Sequence, residues 1–336
     1  MQGSQYEEGM ISVIIPVYNE ELYIGKCLDS ICRQSLEDIE IICIDDGSKD
    51  NSLQILKKFQ DKDSRIKLLY QSNQYAGIAR NYGMQFATGK YLIFLDADDY
   101  FSENMLEKMY DRAENKNADI VICRFQNYCE KTKQISQPDW KNIDCFFYQK
   151  EDFSGKTLKN AAIFQVTNGW AWDKLLRTDY VKESGYKFST FRSSEDGFFV
   201  SMLLTRAKHI SYMDNILITH RINNVNSLSN TKEKNWFNGF KMLILIKNEL
   251  EKEGIYSVYK QSFLNKSIEF LQWYLESMKT FDALKKCYYY IQLCMENEFG
   301  FLENSDKYYF NSKLFEKYKE VISFSLEEYC FKRQKV

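Results

Sequence analysis

Three carboxylates stand almost together in the stretch YLIFLDADDYF, residues 91–101: Asp96, Asp98 and Asp99. They follow directly on the apolar run Leu92–Leu95, which has the pattern of a strand buried on both faces. Like charges at this spacing repel and raise each other's pKa. Either something positive sits among them, or they are solvated caps on the next helix, a role that suits Asp99 and Ser102 before a helix starting near Glu103. A second acidic pair, Glu195-Asp196, lies in FRSSEDGFF; taken alone, SSED is close to a helix capping box. Asp45-Asp46-Gly47-Ser48 offers acids that can accept N–H donors beside a glycine that permits a tight turn. In PVYNE, Pro16 is expected to end a strand's hydrogen bonding, and Tyr18 presents a flat ring for stacking.

The elements that must position these groups follow a regular beat over the first 125 residues. Apolar runs at Ile11–Ile15, Ile41–Ile44, Ile66–Leu69, Tyr91–Leu95 and Ile120–Cys123 read as strands. Between them, apolar residues recur at helical spacing: Ile24, Cys27, Leu28 and Ile31; then Leu53, Leu56 and Phe59; then Ala79, Tyr82, Gly83 and Phe86; then Met105, Leu106 and Met109. This alternation predicts an α/β fold, a mostly parallel sheet flanked by helices. Ligands of such sheets bind at the carboxyl ends of the strands, where the acids stand. Residues 126–164 lose the beat and read as an irregular excursion. From about 233 the pattern becomes a string of amphipathic helices, on Trp236, Phe240, Leu243, Ile246 and Leu250, then Leu264 to Met278, then Phe281 to Met295.

Bulk properties remove several classes of function. A formal net charge of −2 over 336 residues gives no basic field for nucleic acid. Nine scattered cysteines without a CxxC pair, and only two histidines, argue against a Cys/His zinc site. No GxGxxG follows the first strand and no GxxxxGK[ST] is present, against a nicotinamide-dependent Rossmann enzyme and a P-loop. No apolar run approaches the roughly 18 residues that span a bilayer. MQGSQYEEGM, residues 1–10, lacks the features of a secretory signal and reads as a short extension. An odd cysteine count then fits a reducing cytoplasm.

At the level of whole segments, ISVIIPVYNEELYIGKCLDSICRQSLEDIEIICIDDGSKDNS followed by AGIARNYGMQFATGKYLIFLDADD resembles the family 2 glycosyltransferases, which have the GT-A fold. The resemblance is close over 11–125, moderate over 165–230 and absent from the helical tail. It implies a Rossmann-like catalytic domain over 11–232, with a nucleotide-sugar half (11–125) and an acceptor half (126–232), and a helical extension over 233–336. It makes Asp96-Ala97-Asp98 the motif that holds a divalent metal, Mn2+ or Mg2+, against the diphosphate of a nucleotide-sugar, with Asp98 the more direct ligand. A diphosphate leaves poorly unless its growing charge is neutralised, and both metals favour oxygen.

The same resemblance assigns the other loops. Pro16, Tyr18 and Glu20 become the wall around the nucleobase, Asp46 the acceptor for a uracil N–H, and Arg80 and Asn81 neighbours of the ribose and phosphates. Asp196 matches the general base, with Glu195 orienting the acceptor or the loop. Arg221 and Ser227 resemble an Arg and a Ser on a flexible loop that closes over the diphosphate, and His220 is placed to touch the metal or a phosphate. Trp170, Trp172, Asp173 and Lys174 resemble the stretch lining the acceptor.

The implied reaction is inverting transfer from a UDP-sugar to a saccharide or lipid-linked saccharide of a bacterial surface glycan, in the cytoplasm. The helical extension would pack on the catalytic domain, pair with a second copy, or rest on the membrane's inner face, where the basic, aromatic tail YCFKRQKV suits anionic lipid. Two alternatives are a sugar-phosphate nucleotidyltransferase, which would want a glycine-rich loop where PVYNEE stands, and a glycan-binding module without catalysis, which would be expected to have lost Asp98 or Asp196.

Overall fold

The computed structural model describes residues 11–138, 152–154, 162–222 and 232–333. Residue contacts divide the chain into two units. Among the described residues, the first holds everything up to 154 together with 169–222, and the second holds 162–168 with 232–333.

The first unit is built on one mixed sheet. Its strands are β1 (Ile11–Val17), β2 (Ile39–Asp45), β3 (Ile66–Tyr70), β4 (Tyr91–Phe94), β5 (Tyr100–Phe101), β6 (Ile120–Cys129), β7 (Ile135–Ser136), β8 (Asp152–Phe153), β9 (Lys174–Arg177) and β10 (Ile210–Ile222). The helices of this unit are α1 (Ile24–Cys32), α2 (Ser52–Gln60), α3 (Tyr75–Met84), α4 (Met105–Lys116), α6 (Thr178–Ser184) and α7 (Glu195–Arg206), while α5 (Ile163–Val166) belongs to the second. The sheet order is β3-β2-β1-β4-β9-β6-β10-β5, with β7 on β6 and β8 on β10.

Strands β3, β2, β1 and β4 are parallel, as the alternation predicts. The central strand β1 is apolar because both of its faces are covered. Val13 and Ile15 join the cluster formed by α1, α2 and α4, while Ile14 faces α3 across Gly83. A Cβ on Gly83 would meet Ile14 Cγ2 and Ile44 Cδ1 at 2.8 Å, so the missing side chain lets α3 lie close on the sheet.

Three features depart from the sequence reading. The strand through Pro16 continues to Val17, with Pro16 opposite Ile44. The fifth strand does not stop at Cys123: β6 runs to Cys129, inside the stretch read as irregular. And β9, of sequence KLLR, enters antiparallel between β4 and β6. Four residues carrying a charge at each end leave little periodic signal, so β9 was not legible.

The second unit is helical: α5, α8 (Lys232–Lys252), α9 (Tyr256–Ser277), α10 (Phe281–Tyr290), a π-helical turn Ile291–Met295, α11 (Glu296–Phe299), α12 (Ser312–Ser323) and α13 (Leu326–Arg333). Its core is rich in rings; Phe240, Tyr259, Phe263, Tyr288, Phe301 and Phe315 are all fully buried. No helix among the described residues is long and apolar enough to cross a membrane.

At the N-terminal end of the parallel strands, Glu40 is buried and satisfied. It accepts from Ser12 Oγ (2.6 Å), Thr88 N (2.7 Å), Thr88 Oγ1 (2.9 Å) and Lys67 Nζ (2.6 Å). Burial opposes its charge, but these hydrogen bonds prevail and hold its pKa below the ordinary value. Stability from this group is therefore present above the unfolded glutamate pKa and lost as the pH falls through the lower folded value. Glu40→Ala strands buried donors and is expected to cost about 2–4 kcal/mol in a denaturant titration. Ligand binding at the opposite strand ends should be unchanged.

Candidate active site

The apolar strand β4 ends at Phe94, and the chain turns at once, Asp99 N donating to Asp96 O (3.2 Å). This turn gathers the carboxylates of Asp96, Asp98 and Asp99, with an oxygen of each within 4.8 Å of the others. Asp99 is fully buried and does not cap a helix. Its carboxylate accepts from His220 Nδ1 (2.9 and 3.1 Å) and from Arg221 N (2.7 Å). The following helix starts at Met105 with no cap from its own N-cap side chain, and Gln34 Oε1 takes Leu106 N (2.9 Å), so the capping expectation for Asp99 and Ser102 fails. Two donors fixed on a neighbouring strand outcompete a cap.

Burial, then the charges of Asp99 and Asp96, push Asp98 up to about 8, against the pull of His220. Burial draws His220 down, but Asp99, Asp98 and Asp96 together push it up to about 9. A further carboxylate faces this group: Glu20 is pushed up to about 9 by burial first, then by Asp98, Asp96, Asp50 and Asp99. Its Oε2 is buried without a hydrogen-bond partner. A crowd of oxygen acceptors that cannot all be charged, one of them unsatisfied, fits a hard divalent cation.

Arg80 connects this cluster to the second acidic pair. It is 4% exposed on α3, buried inside the protein and not on a solvated helix face. Its Nη2 donates to Asp96 Oδ1 (2.6 Å) and its Nη1 to Glu195 Oε1 (2.8 Å). Burial opposes the charge, but Asp96, Glu195 and Asp196 raise its pKa above the ordinary arginine value.

The loop before Glu195 is fastened to the same helix. Asn81 Nδ2 donates to Phe188 O (2.9 Å) and Phe188 N donates to Asn81 Oδ1 (3.0 Å), so Asn81 is occupied in holding this loop. Phe188 stacks on Phe199 of α7 with ring centroids 4.2 Å apart. Ser189 N donates to Glu195 O (3.0 Å). Ser194, left-handed at φ +58°, then turns the chain into α7. Asp196, in the first turn, is pushed up to about 7 by burial, then by Glu195 and Asp96, with Arg80 pulling the other way.

The loops after β1 and β2 are lashed together. Lys49 N donates to Asn19 Oδ1 (2.7 Å), Glu20 N to Ser52 Oγ (2.7 Å) and Glu21 N to Asp50 Oδ2 (3.0 Å). Tyr18 projects from them, 39% exposed, after the partly covered Pro16. Asp46 departs from its expected use. Its carboxylate accepts from Gln71 Nε2 (2.7 Å), Gln74 N (2.8 Å), Tyr75 N (2.9 Å) and Asn73 Nδ2 (3.3 Å). About four lone-pair sites are all a carboxylate has, so Asp46 shapes the loop before α3. The open acceptor is its neighbour Asp45, whose buried Oδ1 has no partner.

On the acceptor side the structure also reassigns residues. Lys174 is fully buried, donating to Asp173 Oδ1 (2.5 Å) and Trp170 O (2.8 Å), and reaches no substrate. Trp172 is buried between Trp170 and His220, with near-parallel planes and centroids 5.1 and 4.9 Å away. The exposed ring of the stack is Trp170, 39% accessible. Gly169 and Gly197 touch, a Cβ on Gly169 falling 3.2 Å from Gly197 Cα, which sets the Trp170 segment beside Asp196.

Arg221 sits at the end of β10 and not on a loop. Its Nε donates to Asp98 O (2.8 Å), its Nη1 binds Glu130, and Tyr23 and Tyr128 pack on its guanidinium. A strand partner and a ring cage thus replace the expected phosphate clamp. Ser227 and most of the expected lid, Ile222–Ser229, lie outside the described residues.

With this geometry in place, the comparison with known proteins is direct. The family model described as Glycosyl transferase family 2 matches residues 12–183, just over half the chain. The chain belongs to this family. A cholesterol galactosyltransferase of Borreliella burgdorferi is 30% identical over 294 residues, covering 82% of this chain and 80% of its own. GlyG, a glycosyltransferase of Streptococcus pneumoniae, is 36% identical over 165 residues, covering 49% of this chain and 51% of GlyG. This chain therefore spans about half the length of that relative. Among solved structures, a fragment of S. aureus TarS superposes with a TM-score of 0.60 at 19% identity, over 93% of this chain and 91% of the fragment. The same fragment has been solved with UDP-GlcNAc. The fold is that of the GT-A glycosyltransferases, and the nucleotidyltransferase alternative falls away.

The approach of α3 to α7 provides a test. A Cβ on Gly77 would lie 2.3 Å from Ser189 O and 3.0 Å from Glu195 Cβ, while one on Gly25 of α1 meets nothing within 4 Å. Alanine favours a helix over glycine by up to about 1 kcal/mol, so Gly25→Ala should be neutral or stabilising. Gly77→Ala should instead lose about 1–3 kcal/mol through overpacking, in parallel urea titrations, because the backbone it strikes also carries Glu195.

Proposed function

We propose that this protein transfers a sugar from a UDP-sugar to a hydroxyl of a saccharide or lipid-linked saccharide, with inversion and with Mg2+ or Mn2+. The observation that carries this reading is the Arg80 bridge, which holds the acidic end of β4 and the start of α7 on the two nitrogens of one guanidinium. A cation-binding group and a carboxylate of raised pKa thereby face one reaction space. Family membership supports the reaction class, and the UDP-GlcNAc complex of the TarS fragment supports a uridine nucleotide. We assign catalysis to residues 11–232 and treat 233–336 as an appended helical domain.

In this mechanism Tyr18 and Pro16 flank the base, and Asp45 Oδ1 accepts the uracil N–H. Asp96 and Asp98 hold the cation, while Asp99 keeps His220 in place through Nδ1. Any contact of His220 with the donor phosphates must then come from Nε2. A cation held by Asp96 and Asp98 would supply positive charge against the departing diphosphate. The acceptor saccharide lies against Trp170, whose apolar face suits a sugar ring. Its hydroxyl oxygen forms the new bond to the anomeric carbon as the bond to the UDP oxygen breaks, and its proton passes to Asp196. Glu195 does not contact the acceptor. It fixes Arg80 and, through Ser189, the loop that leads into the first turn of α7, where Asp196 stands.

The protonation of Asp196 gives the experiment. A base must be ionised to act, so single-turnover transfer should rise with pH through an apparent pKa near 7, well above an ordinary aspartate, and level off beyond it. Asp196→Asn should lower the rate by roughly 10²–10⁴-fold and leave UDP affinity unchanged. Asp98→Ala should instead abolish the metal-dependent part of UDP binding. Near wild-type transfer by Asp196→Asn removes it as the base.

A further inference from the structure

The Glu20 carboxylate is the one acid of the site to which the mechanism gives no work. Its backbone is firmly placed: N donates to Ser52 Oγ at 2.7 Å, and O accepts from Tyr23 N and Ile24 N, both at 2.9 Å. Its side chain runs inward, and Oε2 is sealed from solvent with no hydrogen-bond partner. The helix that starts on this turn, α1, reaches the end of β4, with Cys27 Sγ donating to Asp96 O (3.6 Å), and β1 itself pairs with β4 up to Ile14 and Phe94, so Glu20 stands beside the acids whose charges act on it, Asp98 and Asp96. It is nevertheless not one of the three carboxylates that close to within 4.8 Å of each other. A buried acceptor left unsatisfied costs free energy unless a donor arrives, and Asp98, Asp96 and Asp99 bring acceptors of their own.

A divalent cation at an all-oxygen site keeps several of its waters, and each such water is a polarised donor. Groups that accept from the ligands of a metal tune its affinity without touching it. Resting on the proposed function, we infer that Glu20 Oε2 accepts a hydrogen bond from a water bound to the divalent cation. Glu20 thus positions the cation and does not line the nucleobase. The same oxygen could instead take a hydrogen bond from a ribose hydroxyl, and the experiment separates the two.

The experiment measures Mn2+ binding in the presence of UDP by calorimetry and by electron paramagnetic resonance of free Mn2+, and uridine binding without metal. It uses the full chain as wild type, Glu20→Gln and Glu20→Ala. Glu20→Ala is expected to weaken Mn2+ by roughly 10–100-fold. Glu20→Gln, which keeps an acceptor oxygen but not the charge, should fall between it and wild type. Uridine binding without metal should be equal in all three. Melting curves give an independent readout. Removing a buried, unpaired acid should leave the metal-free melting temperature equal or higher, while the gain on adding Mn2+ and UDP shrinks; a merely structural role would lower the metal-free value. Unchanged Mn2+ affinity in Glu20→Ala, or loss of uridine affinity without metal, overturns the inference. Failure of the wild type itself to bind Mn2+ with UDP would count against the proposed metal site and not against Glu20 alone.

Discussion

A buried guanidinium between two groups of carboxylates is the constraint on which the site depends. Arg80 sits inside the protein with Asp96 on one nitrogen and Glu195 on another. A buried arginine is tolerated only when paired, and each carboxylate it binds belongs to a different part of the catalytic apparatus. Its planar fork fixes direction as well as charge. The rest of α3 serves this placement: Gly83 brings the helix down on β1 and β2, Gly77 lets the backbone of Ser189 and the side chain of Glu195 come near, and Asn81 ties Phe188. One helix thus sets the distance between the acidic end of β4 and the start of α7.

The electrostatics follow from the same arrangement. Asp98 and Glu20 are held in water-poor surroundings beside further acids, and both resist ionisation. The protein supplies part of the opposing charge itself, through Arg80 and His220, and in the proposed reading a divalent cation would supply the remainder. Asp196 lies just beyond, close enough to feel Asp96 but pulled toward ionisation by Arg80. Burial and two acids, set against one arginine, bring Asp196 to about 7, which suits the role of base proposed for it. The ring stack from Trp170 through Trp172 to His220 and Asp99 gives the acceptor side its own rigid link to the same acids.

Much of this was legible in the sequence, and the exceptions have physical causes. Periodicity placed the parallel strands and the acidic end of β4, because local patterns set them. It missed β9, which is four residues long and antiparallel. Most of the residues that the structure gathers at the strand ends could be named from the sequence, but several of their contacts could not. Arg80 could be named, yet not its burial, because Glu195 lies 115 positions away. Asp46 and its neighbour Asp45 look alike in sequence; only the fold shows that Asp46 is saturated by residues 71–75 while Asp45 keeps an open oxygen. Lys174 and Arg221 carry charges that suggest substrate, but a buried aspartate and a tyrosine cage claim them first. Side-chain type announces a capability, and the competition for partners decides its use.

The central claim, that Arg80 makes the two acidic groups act as one site, is tested most directly by a double-mutant cycle on single-turnover transfer. Arg80→Lys keeps the charge but cannot hold Asp96 and Glu195 together, and Glu195→Gln removes one end of the bridge. If the bridge is the working unit, the double variant should be no slower than the slower single variant, a coupling of at least about 1 kcal/mol. If the two losses multiply, Arg80 and Glu195 act independently, and the account of how the site is assembled is wrong.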